Sequence, residues 1–220
     1  MGPPRRRRGS VTPSGTSAPD SAGSAARTCG SSRSPRDSGS GPSARALEAG
    51  LSDVAENYAQ ELVAKHRALG GDLEPRWHFV GRLQRNKIRQ VAGFVGTWQS
   101  VDRIRLVTEI ARRAPGAEVL VQVNVSGEEQ KGGCDPDDVA GIVGAARDEG
   151  LAVAGLMAVG PTGSPESARE PFRRLVGLAD DLALPERSIG MSHDLEVAVE
   201  EGATMVRIGR ALFGERPESP

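Results

Sequence analysis

From residue 44 onward the chain alternates between two hydrophobic periods. Short apolar, β-rich runs fall at Asp53–Asn57, Trp77–Val80, Phe94–Val101, Glu118–Val125, Ala152–Val159, Ser188–Ser192 and Met205–Ile208. Between them lie stretches with helical spacing. Tyr58–Leu69, Asn86–Ala92 and Asp102–Ala114 are the first three, the last with Ile104, Val107, Ile110, Ala111 and Ala114 on one face and Ser100 as its cap. Asp135-Pro136 opens another, with Val139, Ile142, Val143 and Ala146 inward, because Pro suits the first helical position. Ser164-Pro165 opens a long one running to Leu182, with a kink or restart expected at Pro171. Leu195, Ala198, Val199 and Gly202 form a last apolar stripe, with Ser192 or His193 at its cap.

Strands separated by helices imply parallel βαβ units. Seven strands are predicted, one fewer than a (β/α)8 barrel needs, and residues 44–220 fall short of the ~200 residues usual for such a barrel. The pattern therefore predicts a TIM-type barrel lacking its first βα unit, with an open doubly wound sheet as the alternative. Loss of that unit would leave two sheet edges unpaired.

Residues 1–43 differ in kind. They are rich in Arg, Ser, Gly and Pro, with Val11 the only branched aliphatic residue, and are expected to be disordered. The abrupt change at residue 44 suggests a segment translated out of frame or from a wrong start. Arg5–Arg8 reads as a solvated basic run, without the apolar core of a secretory signal. Gly39-Ser-Gly41-Pro-Ser-Ala44 matches a dinucleotide-binding spacing, but no strand is predicted before it. Residues 44–220 are the folded domain.

Charge narrows the function. Lys plus Arg number 28 and Asp plus Glu 29, a net of −1, which makes no case for nucleic acid or a membrane surface. No apolar run is long enough to span a bilayer. Cys29 and Cys134 are far apart, and His66, His78 and His193 have no metal-ligand spacing, so a reducing, cytoplasmic, metal-free setting is expected. The lysines are Lys65, Lys87 and Lys131 alone.

The last two predicted strands end in small residues, Ser192 and Gly209, each before a helix start. Backbone N–H groups there favour an anion, and the loops after strands 7 and 8 are the usual phosphate site of such barrels. Arg207, a cation inside a strand pattern, needs a partner.

Several blocks resemble the pyridoxal phosphate (PLP) homeostasis proteins of the YggS/PROSC type. They are V-A-E-N-Y-A-Q-E (54–61), W-H-F-V-G-R-L-Q-R-N-K (77–87), Q-V-N-V-S-G-E-E-Q-K-G-G (122–133), G-L-M-A-V (155–159), G-M-S-H-D (190–194) and V-R-I-G-R-A-L-F-G (206–214). The resemblance implies a barrel of the alanine racemase N-terminal type that binds PLP without a reaction and buffers it or delivers it to PLP-dependent apoenzymes, as a cytoplasmic monomer. It implies that Ser192 and the backbone at Gly209 and Arg210 hold the phosphate, and that Arg207 approaches the pyridine nitrogen. It implies that Asn57, His78 and Met157 line the pocket. An arginine at the ring nitrogen keeps it unprotonated and weakens the electron sink, which suits a carrier. The family's Schiff-base lysine, in a block resembling V-A-V-S-K-T at the end of the first strand, has no counterpart here. Lys87 and Lys131 match other family positions and read as anion-pairing or solvated loop residues. The alternatives are a racemase-like enzyme, a phosphate-binding barrel enzyme without PLP, and a fragment with impaired cofactor binding.

Overall fold

In the computed structural model, eight parallel strands close into a barrel, each hydrogen-bonded to its neighbours in chain order. The structure describes residues 27–31, 43, 47–48, 50–69 and 75–209. The strands are β1 (Arg27–Ser31), β2 (Asp53–Glu56), β3 (Arg76–Phe79), β4 (Val95–Val101), β5 (Glu118–Gln122), β6 (Ala152–Met157), β7 (Glu186–Met191) and β8 (Met205–Ile208). Six α-helices are described between and after them. They are α1 (Ala59–Leu69), α2 (Arg85–Val91), α3 (Ile104–Arg113), α4 (Val139–Asp148), α5 (Arg169–Asp181) and α6 (Leu195–Glu200).

The place predicted to be vacant is filled. β1 lies within the stretch expected to be disordered, and the sheet closes through it. Cys29 pairs with both Asp53 and Arg207, and Gly30 with both Val54 and Ile208. Arg-Thr-Cys-Gly-Ser carries no hydrophobic signal of its own. Two waiting sheet edges supply its backbone partners, and pairing removes the exposed edges that an incomplete barrel would carry. Residues 1–26 and 32–42 lie outside the described residues.

Other differences have local causes. Asp102 and Arg103 precede α3, whose N-cap is Arg103 in an extended conformation without a side-chain cap, so Ser100 stays in β4. Pro171 sits in the first turn of α5, where its missing N–H costs nothing, so it makes no kink. α6 is capped at Asp194 rather than at Ser192 or His193. Its buried residues are Val197 and Ala198, while Val199 is exposed.

The main apolar layer lies between the barrel and its helices, and holds Trp77, Phe79, Trp98, Ile110, Val119, Val121, Phe172 and Ile189. Residues of opposite parity face the barrel interior. Ala55 and Met205 form a small cluster apart from the main layer. Most of their neighbours inside the barrel are polar.

Candidate functional site

The interior polar residues form one directed chain. Arg207, on β8, donates from Nη1 to the Ser188 carbonyl and to Ser188 Oγ, both at 2.7 Å, and from Nη2 to the Ala158 carbonyl at 2.7 Å. Ser188 Oγ donates to Gln99 Oε1 at 2.7 Å. Gln99 Nε2 lies 2.7 Å from His78 Nδ1 and 3.1 Å from the Met205 sulfur. His78 Nε2 lies 2.8 Å from Asp53 Oδ1, and Ser52 Oγ donates to Asp53 Oδ2 at 2.5 Å. Only one assignment satisfies every link: Gln99 donates to Nδ1, so the imidazole carries its hydrogen on Nε2 and gives it to the carboxylate. The bonds from Arg207 through Ser188, Gln99 and His78 all point towards Asp53, an arrangement in which each bond polarises the next. His78, Gln99 and Ser188 have no solvent exposure. Burial of this kind is tolerated only when every group is paired.

β-strand alternation places these side chains inside the barrel. Asp53 and Ala55 share one face of β2, and Thr97 and Gln99 one face of β4. Barrel closure then brings β7 beside β8, with Ser188 opposite Met205 and Met191 opposite Arg207. Ser192 and Gly209 thus leave neighbouring strands at the same end. Gly190 shapes that end: its φ is +91°, and a Cβ there would lie 2.5 Å from the Ala198 Cβ. The turn after it is pinned by the Asp194 carboxylate, which accepts from the Met191 N–H at 2.6 Å.

The other expected pocket residues divide. Met157 is buried at the end of β6, in register with Gln122. His78 belongs to the buried chain beneath the mouth rather than to an open wall. Asn57 is half-buried after β2 and lines a cleft with Tyr58, Gly81 and Arg82. Arg210 lies outside the described residues. Asp53, Gln99 and Ser188 carry no site signal as single residues. Their trace in the sequence is a polar residue recurring at strand period in runs otherwise apolar.

The lysines have separate environments. Lys65 on α1 is buried against Glu56 on the outer side of β2. Burial pushes the Glu56 carboxyl up to about 7, with Lys65 pulling the other way. Lys131 pairs with Glu128 at 2.5 Å and donates to the Gly160 carbonyl. That ammonium holds the Glu128 carboxyl down at about 2. The same carboxylate accepts from the Thr162 N–H at 3.1 Å, so Lys131 ties two loops together. Lys87, half-buried in α2, has no acidic partner among the described residues. β1 contains no lysine.

Among the described residues, no group of His, Cys, Asp and Glu could hold a metal ion. No described helix is long and apolar enough to cross a membrane.

Residues 35–217 match the family model for the alanine racemase N-terminal domain. The chain is 46% identical over 179 residues to the pyridoxal phosphate homeostasis protein of Aquifex aeolicus, covering 76% of this chain and 78% of that one. The namesake from Pseudomonas aeruginosa is 43% identical over 176 residues, with 76% of each chain covered. Among solved structures, PipY of Synechococcus elongatus with PLP bound superposes with a TM-score of 0.77 at 28% identity, covering 86% of this chain and 92% of that chain. An alanine racemase from Clostridium difficile shares the fold, with a TM-score of 0.71 at 16% identity over 53% of its length. By sequence and by fold, the chain belongs to the family of pyridoxal phosphate homeostasis proteins, built on the alanine racemase N-terminal barrel.

Proposed function

We propose that this protein binds PLP at the β7–β8 side of the barrel mouth and serves as a non-catalytic carrier or buffer of the cofactor in the cytoplasm. The observation that carries this reading is the buried Arg207 guanidinium, held by Ser188 and Ala158 at the level where Ser192 and Gly209 leave adjacent strands.

The donor set fits the cofactor. The Ser192 hydroxyl and the backbone at Gly209 suit a phosphate, as does the bend forced by Gly190. Arg207 suits the pyridine nitrogen, because an arginine does not give up its proton and so leaves that nitrogen an acceptor. When bound, PLP supplies an electron-sink ring and an aldehyde. Arg207 blunts the sink, which supports carrying over catalysis. Ser188 and Gln99 fix the angle of the guanidinium. Met157 supplies an apolar wall, and Arg210 is a further candidate for the phosphate. With no lysine in β1, holding relies on phosphate and ring contacts, and such binding releases the cofactor readily to PLP-dependent apoenzymes.

The test is equilibrium dialysis with PLP, monitored by absorbance, on the wild type and on Arg207→Gln and Ser192→Ala. Saturable binding that weakens about tenfold or more in each variant supports the reading, since one lost charge-assisted contact is worth about that much. Unsaturable uptake, or equal affinity in all three proteins, overturns it.

A further inference from the structure

Across the mouth from β7 and β8, the ends of β2 and β3 and the loop after β4 frame a cleft of about 810 Å³. Among the described residues Arg82, Lys87 and Arg103 line it, and no carboxylate does. Arg103 is already engaged, by Asp102 at 2.5 Å and the Leu83 carbonyl at 2.9 Å. Arg82 and Lys87 have no acidic partner among the described residues.

The placement of Lys87 breaks a local rule. α2 begins Arg85-Asn86-Lys87, with no acidic residue in its first turn. Cations there oppose the helix dipole. Arg85 reaches out to Glu109 at 3.4 Å, but Lys87 keeps its ammonium in the cleft, half-buried. A sequence that breaks a local rule without local compensation marks a functional position. The cleft is also set by backbone. A Cβ at Gly81 would collide with the Asn57 carbonyl, so only glycine lets the Arg82 loop close down on Asn57. On the rim stands Tyr58, 60% exposed, one of three large hydrophobic side chains left in solvent among the described residues.

We propose that this cleft is a second anion site, separate from the β7–β8 loops, which takes a phosphorylated aromatic ligand. Lys87 and Arg82 hold the phosphate, and Tyr58 lies against the ring. The ligand chemistry is shared by PLP and by nucleotides. The site does not depend on cofactor binding at Arg207.

The probe is PLP on the full chain, followed by borohydride reduction and peptide mapping. The Lys87 ammonium gives its proton to solvent and leaves the phosphate to Arg82; the free amine condenses with the neighbouring aldehyde, water leaves, and hydride from borohydride reduces the C=N bond to a stable secondary amine. At limiting probe, Lys87 should be labelled about tenfold more than Lys65 or Lys131, and pyridoxal without phosphate should label it about tenfold less, the size expected for a lost phosphate contact. Arg82→Ala should cut the labelling without shifting the melting temperature. Pyrophosphate should compete, and AMP competing better than pyridoxine phosphate would identify a nucleotide as the occupant. The Arg207→Gln variant keeps Lys87 labelling even if binding at the mouth is lost, so the two sites fail independently. Equal labelling of all lysines, or equal labelling by pyridoxal, overturns the proposal.

Discussion

Gln99 is the link on which the interior chain depends, and Gln99→Leu tests that dependence at nearly constant volume. The substitution removes the acceptor for the Ser188 hydroxyl at 2.7 Å and the donor for His78 Nδ1 at 2.7 Å. Both surviving groups have no solvent exposure, so neither can recruit water in place. Ser188 Oγ still accepts from Arg207, and His78 Nε2 still meets Asp53, so each residue loses one of two partners. An orphaned buried polar group costs about 1–3 kcal/mol, which gives about 2–6 kcal/mol for the pair. The leucine recovers little, since it occupies space the glutamine already filled. Urea denaturation at pH 7 should show a lower midpoint with an unchanged slope, the signature of lost stability without a change in exposed surface. PLP affinity should fall as well, because the Ser188 hydroxyl that accepts from Arg207 loses the Gln99 oxygen that orients it. A loss below about 0.5 kcal/mol, the range of an ordinary surface change, would mean that the chain is not a connected network.

The Glu56–Lys65 pair makes stability fall with pH. With its carboxyl raised from 4.5 to about 7, folded Glu56 binds more protons than the unfolded chain between those values. Stability is therefore fully present below about 4.5 and is lost as pH rises through about 7, by on the order of 1–3 kcal/mol. Denaturation midpoints at pH 5 and pH 8 measure it, and Glu56→Gln with Lys65→Met should abolish that difference. Lys65→Met alone should cost about 3–5 kcal/mol at pH 8, by stranding a buried charge. Cys134 should resist alkylation in the folded protein, since burial pushes its thiol up to about 12, and should react at once in denaturant. Thiol titration with and without urea decides this.

Strands β2 to β8 are legible in the sequence because burial on both faces demands continuous apolar runs, such as Val119–Val121, bounded by Gly and Pro. β1 is not, because nothing in Arg-Thr-Cys-Gly-Ser asks to be a strand. Its conformation is imposed by two neighbours that are distant in sequence. The pairing of Ser192 and Gly209 is legible as two strand ends before helix starts, and Arg207 as a misplaced cation. The partners of Arg207 are not, because Gln99 and Ser188 meet only when β4, β7 and β8 face one another across the closed barrel. Asn57 is legible as a polar residue where β2 ends, but its neighbours Gly81 and Arg82 come from the β3 loop and are not.

The direction of the interior chain makes a sharper claim than its existence. A glutamate at position 99 can accept from Ser188 as glutamine does, but its carboxylate cannot donate to His78 Nδ1. That nitrogen must then carry a hydrogen of its own to meet the new acceptor. Asp53 still requires a hydrogen on Nε2. With the carboxyl at position 99 ionised, both demands are met only by imidazolium, placed between two carboxylates in a cavity closed to solvent; a carboxyl there that keeps its proton would instead donate to Nδ1 as glutamine does. Gln99→Glu should therefore charge a histidine that now carries one ring hydrogen, and nitrogen-resolved NMR of the imidazole should show both ring nitrogens protonated near neutral pH. The cation and the added anion offset each other, so the variant should fold. It should lose less stability than Gln99→Leu, which leaves His78 Nδ1 with no partner of either kind. A single protonated ring nitrogen in a folded Gln99→Glu protein whose introduced carboxyl is ionised, as read from its carboxyl carbon shift, would show that the hydrogens do not run from Arg207 to Asp53. The angle of the guanidinium at the mouth would then not depend on Gln99 and His78.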